Sequence, residues 1–283
     1  MSRYIPILAY HNIVKTKNSA APDWIDESLF REQLKYLVNA GFTPISPHLL
    51  LTRHLLPPKP ILITFDDGYE GTYELAFPIL QEFNIQFTVF IITNFLSNST
   101  ARKTNSWNMG DRPNAHHLSK KMIQEMLKSN LLTIGSHSFS HQLFHHLSEK
   151  EIEQEVALSF QFLKMEFNQN ADLFSYPGGF VGDKKITYNI LKINGVKLAF
   201  GAQTNTMQNL KKIDPLNIKR INVTNANNFV NKKAKFRFEV LLMPVLNKLS
   251  KYNKLNFFIN LLLSIHQFAS RIIWGRRDLK TVE

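Results

Sequence analysis

Cysteine is absent from all 283 residues. That excludes disulfides and thiolate metal sites, so any metal must be held by His, Asp or Glu. Also lacking is a clean apolar run of membrane-spanning length. The best segment, Leu255 to Trp274, is broken every three or four positions by Asn256, Asn260, Ser264, Gln267 and Arg271, too polar for a span. No nucleic-acid-binding signature accompanies the net charge of +12, so nucleic acid is not expected as a partner. What is present is a globular composition, 44% hydrophobic and 12% aromatic, enough to bury the core of one large domain with an appendage.

The positive charge is unevenly placed. From Asn231 onward there are eleven Lys or Arg against three Asp or Glu, a surplus of eight out of the total of +12. Residues 231–283 therefore read as a basic tail, distinct from a domain over 1–230. The polar positions between Leu255 and Trp274 share one helical stripe. Trp274 with Arg271, Arg276, Arg277 and Lys280 has the pattern of an interfacial anchor for anionic lipid. A helix packing on the domain is the competing expectation.

At the other end, Arg3, the run Tyr4 to Tyr10 and Ser19-Ala20-Ala21 imitate an export signal. The run is short and contains Pro6, and cleavage after Ala21 would remove His11. The expectation is a first strand of the mature domain and a cytoplasmic protein, peripheral on the inner membrane face. A periplasmic or secreted location is the alternative.

Between these ends strand-like and helix-like segments alternate. Helices are expected over Ser28 to Asn39, Pro47 to Leu55, Thr72 to Phe83, Ser119 to Lys128, from the Ser148/Glu151 capping box to Phe167, and over Asp183 to Ile193. Strands are expected at Tyr4 to Tyr10, Phe42 to Ser46, Ile61 to Ile63, Gln86 to Thr93, Leu131 to Ile134, Leu173 to Tyr176, Lys197 to Gly201 and Ile218 to Val223. Asn94 to Pro113 reads as a surface loop. The βα repeat predicts an α/β fold, a deformed or incomplete (β/α) barrel, with functional residues at the C-terminal ends of its strands.

Two stretches stand at such ends. Asp66 and Asp67 follow the apolar Ile61-Leu62-Ile63, and His137-Ser138-Phe139-Ser140-His141 follows Leu132 to Ile134. On a helical turn, imidazoles four residues apart share one face and reach one ion. Two His and one carboxylate would leave positions open for water and substrate.

Thr64-Phe65-Asp66-Asp67-Gly68 and His137-Ser138-Phe139-Ser140-His141, in that order, resemble the first two motifs of the polysaccharide deacetylases, carbohydrate esterase family 4, the NodB homology domain. The resemblance covers roughly residues 4 to 224. It implies a deformed barrel and a metal-dependent hydrolase that removes acetyl from an N-acetylated amino sugar of a cell-envelope polysaccharide or lipid-linked glycan. It makes Asp66 the general base and Asp67, His137 and His141 the ligands of one divalent metal, Zn²⁺ foremost, with Co²⁺, Ni²⁺, Mn²⁺ and Fe²⁺ compatible.

Phe174-Ser175-Tyr176-Pro177-Gly178-Gly179 resembles the third motif, which implies that Tyr176, Pro177 and Gly178 line the groove and that Tyr176 N–H meets the oxyanion. The arginine usual just before this proline is missing, and Arg220 is the candidate to orient the base instead. The C-terminal leucine-histidine motif is replaced by Ile221-Asn222-Val223-Thr224. Leu8-Ala9-Tyr10-His11-Asn12 resembles the permuted members of the family, in which the acid histidine lies on the first strand, so His11 is the expected acid. An amidase for a non-sugar C–N bond and a silent glycan- or membrane-binding module are the competing readings.

Overall fold

Every residue of Pro60–Phe65 is buried, as a parallel strand covered on both faces requires. The computed structural model describes residues 4–15, 21, 23–97, 116–169, 171–203 and 208–223. The expected tail, 231–283, lies outside them, as does most of the expected loop 94–113. Among the described residues no helix is long and apolar enough to cross a membrane.

Seven strands form the barrel: β1 (Ile7–Tyr10), β2 (Pro60–Phe65), β3 (Phe87–Ile91), β4 (Leu132–Ser136), β5 (Leu173–Ser175), β6 (Leu198–Gln203) and β7 (Ile218–Asn222). Each pairs in parallel with the next, and β7 returns to β1 through Ile221 opposite Leu8. The ring is closed; the sequence left closure open. Short Thr43–Pro44 adds to the N-terminal end of β2. Asn12–Val14 and Trp24–Asp26, which carry no strand signal in the sequence, pair beside the barrel.

Among the described residues five longer helices follow the strands: α1 (Glu27–Asn39), α2 (Phe77–Glu82), α3 (Lys120–Leu127), α4 (Glu149–Phe167) and α5 (Lys184–Ile193). A sixth, short helix, Thr93–Ser97, stands where the end of a strand and the start of a loop were expected. Their starts follow capping chemistry. Asp26 accepts Ser28 N–H and Leu29 N–H at α1, Asp183 accepts Lys185 N–H and Ile186 N–H at α5, and Ser148 with Glu151 closes the capping box of α4. Two expected helices are different in kind. Pro47 to Leu55 is two 3₁₀ turns, Pro47–Leu50 and Arg53–Leu55. Before α2, Thr72–Ala76 is a π turn in which Phe77 N–H reaches back to Thr72 O. Pro78 has no N–H to give the carbonyl of Glu74, which loosens the α pattern there.

The barrel interior is layered. Ile7, Leu62, Phe90, Leu173, Leu198, Phe200 and Ile218 form one buried cluster. Gly135 on β4 admits it, because a Cβ there would stand 2.7 Å from the Phe90 ring. Two residues further along their strands, on the same face, come Thr64, Ser175 and Arg220. All three are buried, Arg220 with 1% exposure.

Candidate metal centre

Asp66 and Asp67 follow the C-terminal end of β2, and Asp67 adopts φ 69°, a left-handed backbone that Asp tolerates better than most residues. Asp67 Oδ1 lies 3.3 Å from His137 Nε2 and 3.4 Å from His141 Nε2. His137 Nδ1 is 2.8 Å from Ser175 O. A carbonyl only accepts, so Nδ1 carries the proton and the Nε2 lone pair faces Asp67.

The two histidines do not reach each other on a helical turn. Residues 137–141 are an irregular loop in which Ser138 and His141 have φ 65° and 64°. Such non-glycine residues cost roughly 1–3 kcal/mol each. They are held by side chains: Ser136 Oγ accepts Ser138 N–H, Ser138 Oγ accepts His141 N–H, and Glu155 accepts from both Ser140 N–H and Ser140 Oγ.

Three donor atoms, one each from Asp67, His137 and His141, lie within 4.8 Å of one another. Tetrahedral ligands at about 2.0–2.1 Å from Zn²⁺ are spaced by roughly 3.3 Å, the separation seen between Asp67 Oδ1 and the two imidazoles. The donor set thus fits one divalent ion. Burial tends to raise the Asp67 pKa, but its hydrogen bond to His137 and the nearby His141 and His11 hold it well below the usual carboxylate range. Burial pushes His141 down to about 4. His137 is also desolvated, yet Asp66 and Asp67 together raise its pKa. Hence Asp67 is ionised and His141 neutral at pH 7.

Asp66 belongs to a second set of contacts. Arg220 Nη1 and Nη2 donate to its Oδ1 and Oδ2 at 2.8 and 2.6 Å, and Ser175 Oγ donates at 3.3 Å. The same guanidinium donates to Thr64 Oγ1 and Ser175 Oγ, and lies 5.7 and 5.9 Å from the Phe90 and Phe200 rings. Burial raises the Asp66 pKa, but Arg220 first and His137 and His11 after it lower the net value. Planar bidentate pairing of this kind is what distinguishes Arg from Lys.

His11 follows β1 directly, on the same parity as Ile7 and Ala9, and its charge acts on Asp66, Asp67 and His141. Its Nδ1 is 3.6 Å from Asp23 Oδ2, and both side chains are nearly buried. Asp23 carries no motif signal in the sequence. Glu155 was likewise missed, since neither its spacing nor its residue type sets it apart, and Ser175 was read only as part of the third-motif stretch, with no role of its own.

The expectation for Tyr176 is corrected. Its N–H donates to Phe200 O at 3.0 Å and its hydroxyl to Leu216 O at 2.7 Å, with the ring fully buried among Phe144, Phe174 and Ile190. Continued barrel pairing occupies the N–H, and core packing hides the ring. Pro177 is buried as well; Gly178, with φ 61°, is exposed.

Fold and donor set together define a parallel barrel whose rim carries an Asp-His-His set that could hold a metal ion. The polysaccharide deacetylase family model matches residues 55–199, and the chain belongs to that family. It is 28% identical over 177 residues to the poly-β-1,6-N-acetyl-D-glucosamine N-deacetylase of Staphylococcus epidermidis, covering 60% of this chain and 56% of that protein. With the enzyme of the same name from Staphylococcus aureus strain MSSA476 it is 28% identical over 193 residues, covering 63% and 61%. The match thus spans less than two thirds of these relatives. Among solved structures, the Streptococcus pyogenes deacetylase PplD superposes with TM-score 0.68 at 24% identity, covering 83% of this chain and 99% of that one. IcaB from Ammonifex degensii gives 0.67 at 24%, covering 84% and 97%. Both likenesses concern the fold.

Proposed function

We propose that the chain is a metal-dependent N-deacetylase of an amino-sugar glycan, either a cell-envelope polysaccharide or its lipid-linked precursor. The observation that carries this reading is the meeting of Asp67, His137 and His141 beside an Asp66 that Arg220 clamps in one orientation. A divalent ion held by the triad would supply Lewis acidity towards a carbonyl oxygen and lower the pKa of water. The chain's own residues do the rest. Asp66, kept ionised by Arg220, accepts a proton from the water that adds to the acetyl carbon. Ser175 and Arg220 fix the direction in which it does so. The exposed main chain at Gly178 is the remaining candidate to face the developing oxyanion. As the C–N bond breaks, His11, whose Nδ1 lies 3.6 Å from Asp23 Oδ2, gives the leaving nitrogen its proton.

The names of the staphylococcal relatives support a β-1,6-linked N-acetylglucosamine polymer as the first substrate to try. Acetate released from such oligomers should appear with added Zn²⁺ or Co²⁺ and vanish with a chelator. Release unaffected by full metal removal would overturn the metal-dependent reading, and no release from any acetylated amino sugar would overturn the sugar. The basic tail supports a further part of the proposal: residues 231–283 hold the enzyme at an anionic membrane surface, on its cytoplasmic side. Deleting 236–283 should release it from vesicles containing anionic lipid while sparing activity on soluble oligomers; joint loss of both would refute this.

A further inference from the structure

Helix α4 carries two buried polar side chains that the mechanism above does not use. Glu155 and Ser159 lie four residues apart, on one face, with 6% and 0% exposure. Their neighbours Ile152, Val156 and Leu163 are core residues, so this face is no solvated stripe. Each side chain is turned to the loop that presents His137 and His141.

Glu155 takes the N–H of Ser140 on Oε2 at 2.8 Å and the hydroxyl of the same residue on Oε1 at 2.5 Å. Ser140 is the residue immediately before His141. Ser159 starts a longer relay. Its hydroxyl donates to Val156 O at 2.8 Å, and its Oγ lies 2.6 Å from Ser136 Oγ. A carbonyl only accepts, so the Ser159 proton is committed and Ser136 donates to Ser159. Ser136 Oγ in turn accepts Ser138 N–H at 3.1 Å, and Ser138 Oγ accepts His141 N–H at 2.9 Å. The Ser159 relay ends on the two left-handed residues, Ser138 and His141, and the Glu155 bonds end on Ser140, between them.

We propose that Glu155 and Ser159 are positioning residues for the cation triad, holding the loop in the one backbone path that points His141 Nε2 at Asp67. This rests on reading Asp67, His137 and His141 as the ligands. An open loop without these anchors would relax its unfavourable φ angles and carry His141 away, so the anchors act on metal affinity and coordination geometry, as groups behind the ligands generally do.

The test is Zn²⁺ affinity by competition with a chromophoric chelator, together with the visible spectrum of the Co²⁺ form, on the full chain. Glu155→Ala should raise the Zn²⁺ Kd about 10–100-fold and weaken or shift the Co²⁺ bands. Glu155→Gln keeps one acceptor for Ser140 N–H and offers a donor to Ser140 Oγ, and should stay within about threefold of the wild type. Ser159→Ala should fall between them. Val156→Ala removes packing on the same helix without touching the relay; it should lower the melting temperature yet leave the Kd and the Co²⁺ spectrum unchanged. Equal affinity of Glu155→Ala and the wild type would overturn the proposal, as would equal weakening by Glu155→Ala and Val156→Ala. Failure of the wild type itself to bind Zn²⁺ or Co²⁺ would overturn the ligand reading and this inference with it, a result that the wild-type titration reports separately.

Discussion

Two layers of the same barrel, about 6.6 Å apart at two residues of strand rise, have opposite chemistry. The lower one, Leu62, Leu173, Ile218 and their neighbours, is aliphatic and aromatic. The upper one, Thr64, Ser175 and Arg220 with Asp66 above it, is polar and joined by hydrogen bonds. The lower layer's contribution is burial, which tolerates many residues of similar volume. The upper layer's is orientation, and it tolerates few, because a charge left alone at that depth has no solvent to replace its partner. Arg220 belongs to both: its head pairs with Asp66, and its face lies against the Phe90 and Phe200 rings.

The largest effect is expected at the rim itself. Asp67→Ala should cost activity on the order of 10³-fold or more and abolish Zn²⁺ binding, with little loss of fold stability; a metal titration beside urea unfolding checks both. Next is Arg220→Leu, which strands Asp66 as a buried charge. It should destabilise by about 3–5 kcal/mol, and the double change Asp66→Asn with Arg220→Leu should recover most of that. If the double variant is as unstable as the single one, the polar layer is a packing device after all. Leu62→Ala, one step lower, should cost about 2–4 kcal/mol in urea unfolding through its cavity while kcat at low temperature stays near the wild type.

The smallest effect lies at the opposite rim. Asp172 accepts from His48 and Lys197 at 2.6 and 2.9 Å. Its burial raises the pKa, but Lys197 and His48 bring the net value below the ordinary one. A carboxylate with a depressed native pKa contributes stability above its unfolded pKa and loses it as pH falls through the native value. Asp172→Asn should therefore lower stability by less than about 1 kcal/mol at pH 7, and by nothing near pH 2. Acid unfolding curves of the two proteins should converge there.

The barrel strands and helices were legible because burial on both faces writes continuous apolar runs, and because Asp26, Ser148 and Asp183 cap where capping residues are expected. The triad was legible from residue type at strand ends. The backbone that assembles it was not: a His pair at spacing four is equally written by a helical turn or by two left-handed loop residues. The anchors are distant in sequence, Glu155 on α4 together with Thr93 N–H and Asn94 N–H, which donate to Ser138 O and Phe139 O. Tyr176 was misread for a related reason. A tyrosine at a strand end looks like a groove wall, and whether its N–H is already taken depends on Phe200, on the neighbouring strand. Asp23 gave no local signal, and Ser175, though inside the third-motif stretch, was given no role, since what matters in each is a partner distant in sequence.

The pairing of β7 with β1 sets an order on synthesis. Asp67, His137 and His141 all leave the ribosome well before residue 220, so a nascent chain can possess every cation ligand while Asp66 still lacks its guanidinium partner. Only when the last strand slots in beside the first does that carboxylate acquire a fixed bearing. Ring closure is then also the step that orients Asp66, and a product truncated before β7 would lack that clamp.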